Sequence, residues 1–194
     1  SFVSTEPWLT VTQMLWINII MDTLGSLAYA GEAPLKHYMT RKPVDRKEPI
    51  LTKQMVCRVL FCGVYTLSLS MFCLVSDFYN KRFDCTDEIH FLTFFFALFV
   101  FCGIAISFCA RTSRLNLLSG LSKNKAFVLI MLGVAAVQLM MIFFGGSLFR
   151  TVQLNVRELS TAGLLSLTVF PVDFLYKIMT AKARRHYISK KRNL

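Results

Sequence analysis

The apolar residues of this chain fall in blocks of roughly 20, the length an α-helix needs to cross ~30 Å of hydrocarbon. Five blocks can be drawn: Val11 to Ala30, Met55 to Ser76, Ile89 to Cys109, Phe127 to Phe144 and Leu159 to Met179. No stretch alternates apolar and polar residues over about ten positions, as a barrel strand does. Lipid offers the backbone no water to bond with, so helices are the remaining way across. The expected fold is all-α, an integral membrane bundle of about five transmembrane helices. A content of 55% hydrophobic and 17% charged residues agrees with it.

A formal net charge of +11 suits either a nucleic acid or a membrane surface, and its placement decides between them. Lys36, Arg41, Lys42, Arg46, Lys47 and Lys53 lie between the first two blocks, with Arg58 just inside the second. Arg111, Arg114, Lys123 and Lys125 lie around the third connection. Lys177, Lys182, Arg184, Arg185, Lys190, Lys191 and Arg192 close the chain. If the spans alternate, all of these share one side, and only Lys81, Arg82, Arg150 and Arg157 fall on the other. The positive-inside rule then puts the N-terminus outside and the C-terminus in the cytoplasm. This asymmetry excludes nucleic acid as the partner. The basic tail, residues 180–194, fits anionic lipid; calmodulin is a weaker reading, because Tyr187 and Ile188 are its only late apolar anchors.

Other signals are sparse. Cys57, Cys62, Cys73, Cys102 and Cys109 lie within spans and Cys85 lies alone in an outside loop, so neither a disulfide framework nor a zinc spacing emerges. His37, His90 and His186 are too scattered for a metal cluster. Pro34, Pro43 and Pro49 break up the first connection, Asp77, Asp84, Asp87 and Glu88 make the second acidic, and Pro171 is expected to kink the last span near Asp173. No basic n-region or cleavage site marks a signal peptide. A chain that must start outside without one is expected to be a piece of something longer.

The first block holds the one constellation with chemistry in it. In Gln13-Met14-Leu15-Trp16-Ile17-Asn18-Ile19-Ile20-Met21-Asp22-Thr23 an amide and a carboxylate stand four residues apart, on one helical face. Gly25, Ser26 and Tyr29 continue a stripe that should turn inward against other helices. A carboxylate at mid-bilayer costs about 2.5–3.5 kcal/mol and so lines a pathway or has a partner. No Lys or Arg lies deep in the other spans to pair with Asp22. Oxygen donors suit a hard cation such as Ca²⁺, which takes about 6–8 oxygens. Asn18 and Asp22 are the candidate metal ligands. They supply too few oxygens alone, so backbone, water or helices beyond this chain must complete the site. Emptied of its cation, such a carboxylate would take up a proton and support calcium–proton exchange.

The run from Gln13 to Thr23, followed by Ser26-Leu27-Ala28 and Glu32-Ala33-Pro34, resembles the sixth transmembrane helix of P-type calcium-transporting ATPases. The resemblance continues through Arg41-Lys42-Pro43, Arg46 and Pro49-Ile50-Leu51 and returns at Phe144-Gly145-Gly146; together these are most similar to the plasma-membrane type. It covers nearly the whole chain, which would be helices six to ten of a ten-helix pump, a single C-terminal transmembrane domain over residues 1–194. It implies that Asn18 and Asp22 ligate transported calcium together with carbonyls and a glutamate of the fourth helix. Met21 stands where reticulum-type pumps carry a threonine, and Ile89 to Cys109 contains no acid, which implies one ion per cycle.

The phosphorylation motif and the nucleotide-binding and actuator segments of that family do not occur here. The chain alone therefore has no catalytic or cofactor-binding residues, and ATP and Mg²⁺ would act only through the remaining pump domains. Those domains and helices are the implied partners. The implied location is a multi-pass span of the plasma membrane, with another endomembrane as the alternative. Two rivals stand beside this reading: a secretory-pathway Ca²⁺/Mn²⁺ pump, and a non-catalytic five-span scaffold or regulatory relative.

Overall fold

The computed structural model describes residues 9–31, 53–76, 78–83, 87–111 and 124–192, and every regular element among them is helical. Helix α1 (Val11–Trp16) runs into a π-helical turn (Ile17–Asp22) and on into α2 (Thr23–Ala30). Then follow α3 (Lys53–Val75), the short α4 (Phe78–Phe83), α5 (Glu88–Ala110), α6 (Lys125–Phe144), the single turn α7 (Gly146–Phe149), α8 (Val156–Leu167) and α9 (Val169–Arg192). The stretches Met55–Cys73, Glu88–Ala110, Lys125–Phe144 and Val156–Ala181 are long and apolar enough to cross a membrane, which makes this a multi-pass membrane protein. The block at residues 11–30 is also helical throughout, but the π turn divides it into pieces of 6, 6 and 8 residues. Most of the basic first connection, the acidic residues Asp77 and Asp84, Cys85, the loop from Arg114 to Lys123 and the tail side chains lie outside the described residues.

Local chemistry sets the helix ends. Thr10 Oγ accepts the Gln13 N–H at 3.2 Å while Gln13 Oε1 accepts the Thr10 N–H at 2.9 Å, a reciprocal box that satisfies donors at the start of α1. Asn155 and Glu158 form the same box at the start of α8. Asn124 caps α6 by accepting the Phe127 N–H at 2.9 Å. Helix α6 stops at Gly145, where a Cβ would collide with the Met141 carbonyl, and Gly146 turns the chain with φ +46°. The break between α8 and α9 falls at Thr168, just ahead of Pro171. Proline fits the first turn of the new helix, and the carbonyl four residues before it, that of Leu167, ends the old one.

Helix α5 is the hub. It is apolar on every side, the pattern of a helix surrounded by others, and Phe94, Phe96 and Ala97 have no exposed surface. Ala162 and Ser166 of α8, one turn apart and buried, let that helix come close to α5. The core gathers Leu98, Cys102 and Ala105 of α5 with Cys73, Ala162 and Val169. The outer face of α3 is a row of exposed apolar side chains, among them Val59, Val64, Leu67 and Phe72, as lipid contact requires.

Candidate intramembrane cation site

Asn18 and Asp22 both lie in the π turn, one turn apart and on the side that no described helix covers. The turn is bounded by shared hydrogen bonds: the Ile17 N–H reaches the carbonyls of Gln13 and Met14, and the Thr23 N–H those of Ile19 and Ile20. A π turn shifts the donor ladder by one residue, so a backbone carbonyl within it loses its usual α-helical donor. Such turns widen the helix and re-aim its side chains. The stripe expected to turn inward as a unit is divided here: Gly25 is buried, Asn18, Asp22 and Ser26 stand on the uncovered side, and Tyr29, though partly exposed, reaches toward α5 and α6. Ser26 Oγ donates to the Asp22 carbonyl at 2.6 Å, so it serves the backbone of the helix and not a site across it. No hydrogen bond or ion pair engages the Asp22 carboxylate among the described residues.

The two ends of this bent helix are tied down. Toward the N-terminal end, Gln13, 2% exposed, donates from Nε2 to the Phe149 carbonyl at 2.8 Å, and Trp16 packs edge-on against the Phe149 ring. Toward the other end, Asn124 donates to the Ala28 carbonyl at 3.2 Å and Tyr29 donates its hydroxyl to the Ser107 carbonyl at 2.9 Å. Tyr29 also leans on the Phe127 ring, which Phe108 and the Arg111 guanidinium approach as well. Between these ties the contacts of the π turn with its neighbours are apolar: Ile17 and Met21 pack against Phe96, Val100 and Met141.

Hidden from sequence reasoning was an ionic cluster at the C-terminal end of α5. Asp173, 1% exposed, receives Arg58 of α3 at 2.9 Å, and its own helix returns Lys177 to the second carboxylate oxygen at 2.7 Å, an ion pair off the direction of a hydrogen bond. Arg58 also donates to the Cys109 carbonyl near the C-terminal end of α5, and Lys177 reaches the same carbonyl at 3.4 Å. Two cations thus face one carboxylate and the negative end of a helix dipole, which balances the charge inside the bundle. The i, i+4 spacing of Asp173 and Lys177 is visible in the sequence; the arrival of Arg58 from another helix is not. Its engagement here explains why it does not neutralise Asp22.

A second buried acid, Glu158, is 6% exposed and accepts the Tyr79 hydroxyl on one oxygen and the Asn155 N–H on the other at 2.6 Å. Among the described residues no group of three or more His, Cys, Asp and Glu side chains gathers to hold a metal. A cation at Asn18 and Asp22 would therefore need further oxygens from backbone or from outside the described residues.

Comparison with known proteins bears on this geometry. Residues 6–179 match the family described as "Cation transporting ATPase, C-terminus". The chain is 32% identical over 177 residues to calcium-transporting ATPase 12, plasma membrane-type, of Arabidopsis thaliana, covering 90% of this chain and 17% of that protein. It is 35% identical over 158 residues to calcium-transporting ATPase 8, plasma membrane-type, of the same plant, covering 77% of this chain and 14% of that protein. Against the plasma membrane calcium-transporting ATPase mca-1 of Caenorhabditis elegans it is 32% identical over 167 residues, 80% of this chain and 13% of the relative. The chain thus spans less than a fifth of the length of these relatives, and the shared part is the membrane bundle just described. On the extent of the family match, this chain belongs to the cation-transporting ATPase C-terminal family.

Proposed function

We propose that the chain is the C-terminal membrane part of an ATP-driven calcium exporter of the plasma-membrane type, and that Asn18 and Asp22 supply ligands to its single intramembrane Ca²⁺ site. The observation that carries this reading is the asymmetry of the π-helical turn. One side is packed against the bundle, while the other presents an amide and a carboxylate, without a partner among the described residues, on a face that no described helix covers. A lone carboxylate so placed in lipid is tolerable when a cation and further oxygens meet it there. Those oxygens would come from the π turn's backbone and from pump helices that pack against this face. The relatives' names point to calcium as the cargo.

In this reading residues 1–194 form one domain, which takes its ATP- and Mg²⁺-dependent drive from the pump's cytoplasmic domains. The C-terminus lies in the cytoplasm, and the basic tail after Ala181 meets anionic lipid. The continuous run of α9 to Arg192 supports a helical approach to that surface. The test is Asp22→Asn in the full pump: calcium-dependent phosphoenzyme formation is lost, and Asn18→Ala weakens apparent calcium affinity. Calcium activation retained by Asp22→Asn refutes the assignment.

A further inference from the structure

Gly103 is the one glycine of α5, set between Phe101-Cys102 and Ile104 in a largely apolar helix. Glycine inside a helix costs about 1 kcal/mol relative to alanine, so its place in the hub helix needs a reason. The reason lies across the interface. A Cβ built on Gly103 would sit 2.7 Å from Met21 Cε and 3.1 Å from its Sδ, so the thioether occupies the space that any other residue would fill. Met21 immediately precedes Asp22 in the π turn. Its side chain enters the packed side of the helix while the carboxylate stands on the uncovered one.

The backbone here has little else to fix its rotation. The ends of the bent helix are held by Gln13, Ala28 and Tyr29, but between them the contacts that hold the π turn to its neighbours are apolar among the described residues. Apolar surfaces slide; a side chain seated in a notch does not. Ser107, one turn after Gly103, donates to the Gly103 carbonyl at 2.9 Å, and its own carbonyl receives Tyr29, so the notch and the tie at the end of α2 belong to one stretch of α5.

We infer that Gly103 is a positioning residue for the cation site: its missing side chain seats Met21, and that seat sets the direction in which Asn18 and Asp22 face. The inference rests on the reading of those two residues as calcium ligands. Supports that orient metal ligands without touching the metal change affinity by about 10–100-fold when altered.

The experiment uses the full pump. Gly103→Val raises the calcium concentration for half-activation by about tenfold while the maximal rate at saturating calcium changes little. Gly103→Ala has a smaller effect, because the atom it meets is the free end of a flexible side chain. Met21→Phe, which brings the clash from the other helix, reproduces the shift. Met21→Ala combined with Gly103→Val removes the clash and restores the wild-type calcium dependence. Wild-type calcium dependence in Gly103→Val overturns the inference, as does a Gly103→Val defect that Met21→Ala leaves uncorrected in a protein of unchanged heat stability. Asp22→Asn is read separately: calcium activation that survives it overturns the ligand assignment itself, whatever the Gly103 series gives.

Discussion

Removing the Asp173 carboxylate tests how the bundle is held together. In Asp173→Ala, Lys177 and Arg58, with side chains 5% and 19% exposed, keep their charges and lose their counter-ion. Breaking a buried pair by deleting one partner costs about 3–5 kcal/mol. The Cys109 carbonyl still accepts from both cations and Arg58 retains some water, so the lower end, about 3 kcal/mol, is expected. That corresponds to a fall of about 6–12 °C in unfolding temperature for a chain of this length. Arg58→Leu or Lys177→Leu leaves Asp173 with one cation and costs less, about 1–2 kcal/mol. Replacing all three by leucine removes the imbalance and recovers most of the loss. Heating the detergent-solubilised protein and following its monodisperse fraction gives the order. If Asp173→Ala unfolds at the wild-type temperature, or the triple variant is no better than Asp173→Ala, the cluster does not hold the helices as argued.

Other parts of the molecule give similarly direct expectations. Both polar atoms of Gln138 are buried without a hydrogen-bond partner among the described residues, so Gln138→Met is expected to raise stability by about 1 kcal/mol in the same heating assay; a loss would show that the amide is satisfied. Tyr79→Phe strips one hydrogen bond from Glu158 and should cost about 1.5 kcal/mol, with Glu158→Gln costing less in the same background than alone. If the tail meets anionic lipid, a peptide of residues 180–194 will bind phosphatidylserine vesicles and leave them as salt rises; binding that ignores salt would refute an electrostatic contact.

The sequence carried the gross architecture because spanning helices announce themselves by length and hydropathy, and each of the five blocks is helical here. Gly145, Gly146 and Pro171 marked real ends and breaks, since their backbone chemistry is local. What sequence could not give were facts made between helices. Asp173 and Lys177 are neighbours on one helix, but Arg58 arrives across 115 positions. Glu158 is visible as a capping residue of Asn155, while its second partner, Tyr79, sits on a short helix that no periodicity signals. The π turn is the instructive case: no sequence signal announces it, and of the residues that an α-helical reading puts on one inward face, Gly25 is buried while Asn18, Asp22 and Ser26 are exposed. Gly103 carries no signal of its own in the sequence; the space its missing side chain leaves is taken by Met21 of another helix.

Among the carboxylates of the described helices, Asp22, Glu158 and Asp173 show the same chemistry under different treatment. Glu158 is hydrogen-bonded and Asp173 is paired with two cations, both inside the bundle. Asp22 has neither kind of partner among the described residues and stands on the side that no described helix covers. A residue whose charge is satisfied within the chain contributes to its folding; under the proposed assignment Asp22 contributes no such contact and meets the transported cation instead. Asp22→Asn should therefore leave the unfolding temperature of the isolated chain at its wild-type value while Asp173→Asn lowers it, although both lose one formal charge in a membrane helix. In the full pump the order reverses for calcium, with Asp22→Asn the variant that no longer responds. If the two substitutions lower the unfolding temperature equally, Asp22 is held by the fold and the division between structural and transport carboxylates fails.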